Sequence, residues 1–222
     1  MYRRCFSDSG DLTRWKTMKY TGLCLVLAAT TLVPTVASGP GGLAVEGGAA
    51  TFRSATNIAG LEVNGASKAV TAQAEIEVVG TGLSIRKVDA TVPVRSLSTG
   101  MKMRDEHRRK YIFTTASGEQ PDLRFEAEGM TCPAGTQGHE FACRLNGALS
   151  FRGVTRPFIL NLKAREQGTA VFRVTGDGTV KLDDFGVTPQ EQFGVKVKNE
   201  VEIRLDFVGK QVAPVVAAEV RK

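Results

Sequence analysis

Residues 200–207 read Glu200-Val201-Glu202-Ile203-Arg204-Leu205-Asp206-Phe207. Every second residue is apolar and every residue between is charged. Successive side chains of a strand point to opposite faces, so Val201, Ile203, Leu205 and Phe207 share a dry side and the charges share a wet one. A helix would mix the two sets on one surface. The stretch is the core of a half-buried strand running from Val195 to Val208.

The same period returns upstream. Val70, Ala72, Ala74, Ile76 and Val78 form the inward set of a strand that Gly80, Thr81 and Gly82 turn back. Leu83 and Ile85 then fall out of phase with Val88, Ala90, Val92 and Val94, and a β-bulge at Arg86 and Lys87 restores the register. Further strands follow at Leu123, Phe125 and Ala127, at Leu145, Gly147, Leu149 and Phe151, and, after a turn at Arg152 and Gly153, at Phe158, Leu160 and Leu162. Another runs through Val171 and Val174, with Gly176 and Gly178 expected to break or bend it before Val180 and Leu182. From Thr99 to Phe113 alternation stops and helix formers dominate, which predicts one short inserted helix. About eight antiparallel strands with no repeat of fixed period define an all-β chain, and closing them into a barrel removes exposed edges.

The inward residues of the first two strands are small, and small residues on the inside of a curved sheet leave room for a ligand. With Phe125, Phe151, Phe158, Leu160, Val201, Ile203 and Leu205, they are the expected wall of an apolar cavity. The competing expectation is a filled core, the small residues of one side packed by the aromatic ones of the other.

The first 38 residues have a different character. Arg14, Lys16 and Lys19 precede an apolar run from Gly22 to Val33, followed by Pro34 and the small residues Thr35 to Gly39. A positive segment, a short apolar segment and a small-residue cleavage site make a secretory signal peptide, and the apolar run falls short of the ~20 residues of a membrane span. Met18 offers an alternative start just ahead of it. Arg3 and Arg4 stand too far from the apolar run for a twin-arginine signal, and Cys24 lacks the context of a lipid anchor. Residues 39–49 are expected as a flexible lead-in, 50–209 as the barrel and 210–222 as a C-terminal tail. The expected location is the periplasm or outside the cell, with no integral span after cleavage.

The 222-residue chain has 29 basic and 23 acidic residues. Without the leader 24 and 21 remain, a net of +3, interspersed along the wet faces of strands, so no nucleic-acid partner is expected. The charged outer face at 200–206 also speaks against an outer-membrane barrel. Cys132 and Cys143 flank a turn-rich segment and are expected as a disulfide at the base of a hairpin in an oxidising compartment. A metal site from both cysteines and His139 lacks a fourth ligand and the usual spacing, so no metal is expected. Asp184-Phe185-Gly186 spells a kinase magnesium motif without any other kinase element, and Gly186 reads as a turn with Phe185 anchoring one barrel end.

Arg104, Asp105 and His107, then Phe125, then Leu149 with Gly153-Val154-Thr155-Arg156-Pro157, then Phe185 and Gly186, occur in an order that resembles the YceI-like family across roughly Ala50 to Gly209. The resemblance implies a secreted, lipocalin-like antiparallel barrel holding a long polyisoprenoid, quinone or similar amphiphilic lipid, without covalent chemistry and without a further cofactor. Arg104, Asp105, His107 and Arg108 are the head-group candidates at the barrel mouth, with Arg104, Arg108 or Arg109 binding a pyrophosphate or carboxylate by charge-assisted hydrogen bonds. The competing and favoured expectation is structural, Asp105 capping or pairing with an arginine and His107 packing the helix onto the barrel. Where the family continues with an apolar residue and an aromatic pair, this chain has Arg108, Arg109, Lys110, Tyr111, Ile112 and Phe113. Two alternatives stand beside the carrier: an enzyme acting on bound lipid or quinone with Asp105 and His107 as acid and base, and a filled-core, stress-related interaction module. No serine or cysteine has the surroundings of a nucleophile, so no catalytic residue is expected. Oligomeric state has no signature in the sequence.

Overall fold

The computed structural model describes residues 41–79, 82–134, 140–189, 191–192 and 194–212. Its strands are β1 (Gly41–Thr56), β2 (Glu62–Ser67), β3 (Thr71–Val79), β4 (Gly82–Val92), β5 (Leu123–Cys132), β6 (Glu140–Phe151), β7 (Val154–Gly168), β8 (Val171–Lys181), β9 (Glu191–Gln192) and β10 (Val195–Val212). One helix, α1 (Lys102–Arg108), runs into a π-turn at Arg109–Phe113. All pairings are antiparallel, and the sheet closes where β1 meets β10.

Ten strands make an eight-stranded barrel because two are not separate staves. β2 and β3 both pair with the same edge of β1, Ala50 with Ser67 and Leu43 with Ala74, in one unbroken register. They are one stave interrupted near residues 68–70. β9 is a two-residue appendage of β10. The architecture is therefore the closed antiparallel barrel with one short helix that the alternation predicted.

The bulge expected near Arg86 lies there: Glu75 pairs with Lys87 and Ile76 with Ile85, leaving Arg86 over. On the facing strand Gly129, at φ 69°, slips in the same place, so Met130 and Cys132 stay inward with Ile85 and Leu83. The β6–β7 hairpin turns through Arg152 (φ 53°) and Gly153 (φ 74°), two left-handed residues that match the twist of the flanking strands.

Three expectations need correction. The flexible lead-in over 39–49 is strand from Gly41 onward, because β10 requires a partner along its far edge and pairs as far as Val212 with Gly42. The barrel likewise runs three residues past 209 before the tail. Gly176 and Gly178 do not break β8, which continues through both in unbroken register with β10. A Cβ on Gly176 would stand 2.4 Å from Leu162 Cδ2, and one on Gly178 would stand 2.5 Å from Phe158 Cζ. Side chains of the neighbouring strand lie over these glycines and replace the missing packing.

Helix α1 and its flanks cross the end of the barrel where β4 and β6 finish. Phe113, Phe151 and Phe185 meet there with ring centroids 5.3 Å apart in each successive pair, and Val94, Leu97, Leu182 and Val187 are buried around them. Val94, expected on the wall, belongs to this plug: Pro93 ends β4, and Val94 opens a 3-10 turn with no exposed surface. Cys132 and Cys143 are joined as a disulfide toward the opposite end, linking β5 to β6. His139 lies outside the described residues.

Candidate functional site

Inside the barrel the two sides differ. Phe125, Ala127, Leu145, Leu149 and Phe151 of β5 and β6, and Leu160 of β7, are buried. Phe125 and Phe158 meet edge to face at 5.9 Å, and Phe125 also covers Gly147, where a Cβ would meet its ring at 2.6 Å. Across the lumen, Ala72 and Ala74 of β3, Val88, Ala90 and Val92 of β4, and Val201, Ile203 and Leu205 of β10 face inward yet keep part of their surface accessible. Ile76 and Val94 are buried, Val70 lies just ahead of β3 and is half-buried, and the side chain of Val78 is not described.

Inward-facing side chains of a closed barrel are exposed only if the lumen beside them is unfilled. Ala72, Ala74 and Ala90 reach little past the backbone, and Ala74, Val88, Ala90, Val92, Val201, Ile203 and Leu205 pack against the buried cluster while staying only partly buried. Leu162 and Phe158, half-buried on β7, edge the same space. A space of about 1160 Å³ runs along β6, β7, β8 and β10, touched by Leu162, Gly176, Ile203 and Leu205 but also by the outward-facing Asp177, Glu202 and Arg204.

The four head-group candidates divide into two pairs. Asp105 and Arg108, one helical turn apart, point inward and are 6% and 7% exposed. Asp105 Oδ1 accepts from the backbone N–H and hydroxyl of Thr99 at 2.9 and 2.7 Å and from Arg108 Nη2 at 3.1 Å, and Oδ2 accepts from the Ser98 hydroxyl at 2.9 Å. Burial opposes its ionisation, but the Thr99 and Ser98 hydrogen bonds and the Arg108 charge outweigh burial and hold the carboxyl below its ordinary range. Arg108 Nη2 also donates to Leu97 O at 3.2 Å, and the guanidinium lies 4.6 Å from the centroid of Phe52. Its Nε and Nη1 are buried without a hydrogen-bond partner among the described residues, and burial pulls its pKa down.

Arg104 and His107 occupy the other face of α1. Arg104 is exposed, its Nη2 2.9 Å from Met101 Sδ, and the His107 ring stacks on Tyr111 at 4.3 Å. The four residues thus do not form one cluster, and Asp105 and His107 are engaged with different partners. Two arginines outside the four fasten the plug. Arg152 Nε donates to Thr114 O at 2.6 Å and its Nη1 to Gly186 O at 2.9 Å, while Arg156 Nε donates to Asp184 O at 2.9 Å. Of the groups that shape the lumen, Phe52 has no site role in the sequence reading, and Gly176 and Gly178 read there only as a break or bend. Two glycines at i and i+2 put two bare positions on one face of a strand, which is a legible sign of something lying over them.

A closed eight-stranded antiparallel barrel plugged at one end belongs to the class of small barrels whose interiors are filled by side chains or hold one small ligand. Residues 44–209 match the YceI-like domain, and the chain belongs to that family. Solved structures agree in fold. A polyisoprenoid binding domain from Saccharophagus degradans implicated in plant cell wall breakdown has 13% identity and a TM-score of 0.55, covering 78% of this chain and 98% of its own. BcnA of Burkholderia cenocepacia has 19% identity and a TM-score of 0.55 over 72% of this chain and 95% of its own. The YCEI protein of Campylobacter jejuni has 18% identity and a TM-score of 0.50 over 70% and 88%. No curated protein matches the chain.

Proposed function

We propose that this chain is a periplasmic or secreted carrier that holds a long isoprenoid, a quinone or a similar amphiphilic lipid inside the barrel, away from water. The observation that carries this function is the exposure of Ala72, Ala74, Val88, Ala90, Val92, Val201, Ile203 and Leu205 toward the lumen of a closed barrel. Each CH₂ moved from water onto such a wall contributes about 0.8 kcal/mol, so a polyprenyl tail binds tightly without any specific polar contact. The Saccharophagus degradans neighbour, described as polyisoprenoid binding, supports the ligand class. The sequence character of residues 1–38 supports export.

Arg108 is the polar anchor of this scheme. A buried guanidinium with two nitrogens unpartnered is costly, and an oxygen of a phosphate, carboxylate or quinone carbonyl at Nε and Nη1 removes that cost. Arg104 and His107 face away from the lumen and take no part. The enzymatic alternative is less favoured because Asp105 is saturated by Ser98, Thr99 and Arg108 while His107 packs on Tyr111. Mass spectrometry of organic extracts from purified protein tests the carrier. An isoprenoid or related amphiphile in stoichiometric amount is expected, and repeated lipid-free extracts from protein that also fails to take up added quinone would overturn it.

A further inference from the structure

The segment that plugs the barrel also carries apolar side chains that stay exposed among the described residues. Met103 is 82% exposed, Met101 53% and Tyr111 40%, and the β1–β2 hairpin tip at the same barrel end adds Ile58 at 46% and Leu61 at 42%. These are five of the nine exposed large apolar side chains among the described residues, so the exposed apolar surface concentrates at one end. Within residues 101–111 the charges are mostly positive, while Glu119, Asp122, Asp183 and Asp184 at the same barrel end are exposed and Glu62 beside Leu61 is half-buried. Lys102, Arg104 and Lys110 are exposed, Arg109 is half-buried, and Asp105 is turned inward, leaving Glu106 as the one exposed carboxylate of residues 101–111. Cations and apolar groups are interleaved: Lys110 Nζ lies 5.2 Å from the Tyr111 centroid, and Arg104 Nη2 lies beside Met101 Sδ.

We infer that this face docks the barrel on an anionic lipid bilayer. Met101, Met103 and Tyr111 enter the headgroup layer, while Lys102, Arg104 and Lys110 meet lipid phosphates. The charge complementarity chooses the occupant. A protein partner would require a continuous apolar patch with a polar rim, whereas protruding methionines and an aromatic mixed with lysine and arginine suit immersion in an interface that is apolar below and negative above. The inference rests on the carrier function, since a protein that exchanges a water-insoluble lipid must meet the membrane that holds it.

Flotation of the purified chain with vesicles tests the docking. Vesicles of phosphatidylcholine with about 30% phosphatidylglycerol are expected to carry the protein at least about tenfold better than phosphatidylcholine alone, the difference shrinking as salt rises. Met103→Ser and the pair Lys102→Glu with Lys110→Glu should each weaken flotation about fivefold or more. Being exposed, these substitutions should leave the melting temperature and the extracted lipid unchanged. Equal flotation on both vesicles, or wild-type flotation by folded Lys102→Glu/Lys110→Glu protein, would overturn the inference. A lipid-free extract from protein that still floats on anionic vesicles would sink the carrier function while supporting the docking face.

Discussion

The plugged end and the thin wall of this barrel are built from opposite materials. At the plug, Phe113, Phe151 and Phe185 stack with Val94, Leu97, Leu182 and Val187, and Arg152 and Arg156 tie the crossing loops down through backbone carbonyls. Along β3, β4 and β10, alanines, valines and Ile203 and Leu205 line the inner side and are only partly buried. The plug side chains are buried, whereas the wall side chains pack against the core and stay partly buried. Substitutions in the two regions should therefore differ in kind: the plug should resist loss of volume and the wall should accept gain of volume.

Phe151→Ala removes the central ring of the plug, which is 4% exposed and touches both Phe113 and Phe185. A loss of about 3 to 5 kcal/mol in unfolding free energy is expected, read by urea denaturation. A loss below ~1 kcal/mol would mean that the plug is loose and the comparison misdrawn. Next in size is the disulfide toward the far end. Replacing Cys132 and Cys143 together by serine opens a short loop and should cost about 2 to 3 kcal/mol. Reduction of the wild type should give the same shift in denaturation midpoint.

The Asp105–Arg108 pair lies between plug and lumen and supplies a pH test. Asp105 titrates below its ordinary range in the folded chain. Its contribution is therefore complete above the unfolded carboxylate pKa, about 3.9, and is lost as pH falls through the lower folded value. Asp105→Asn should cost about 1 to 3 kcal/mol at neutral pH, since one accepting oxygen and the charge facing Arg108 disappear. Its stability should then decline less than that of the wild type between pH 5 and pH 2, on the order of that same amount. Parallel pH curves for the two proteins would show that Asp105 contributes nothing beyond shape.

How much of this was legible in the sequence follows from where periodicity holds. Alternation located every stave between Thr71 and Val208, and the parity slip between Ile85 and Val88 located the bulge at Arg86. The first stave is ragged in the sequence because Gly41, Gly42, Gly47 and Gly48 carry no side chains and interrupt the alternation that begins near Leu43, where β1 pairs with β3 and β10. In α1 the helical period places Asp105 and Arg108, three residues apart, on one face, yet sequence alone does not say that this face is the buried one. That is why four candidates adjacent in sequence divided two and two. The plug draws on rings at 113, 151 and 185, distances over which only the closed topology brings residues together.

The wall itself yields the smallest effect on stability and the most discriminating one. Ala74 pairs with Leu43 on β1 and Val88 on β4, and its side chain faces the lumen with part of its surface accessible. In a filled core, Ala74→Trp would force neighbouring side chains off their rotamers and cost about 1 to 3 kcal/mol. In an open lumen the indole occupies existing space, so the unfolding free energy should change by less than about 1 kcal/mol, with apolar burial offsetting local strain. The same indole competes with the lipid tail for that space. The extracted lipid should fall several-fold while the melting temperature of the lipid-free protein barely moves. A large destabilisation would place Ala74 in packed surroundings like those of Phe151 and erase the contrast between the two regions. Unchanged lipid in a stable Ala74→Trp protein would instead place the tail along another part of the lumen, against Ile203 and Leu205 on β10.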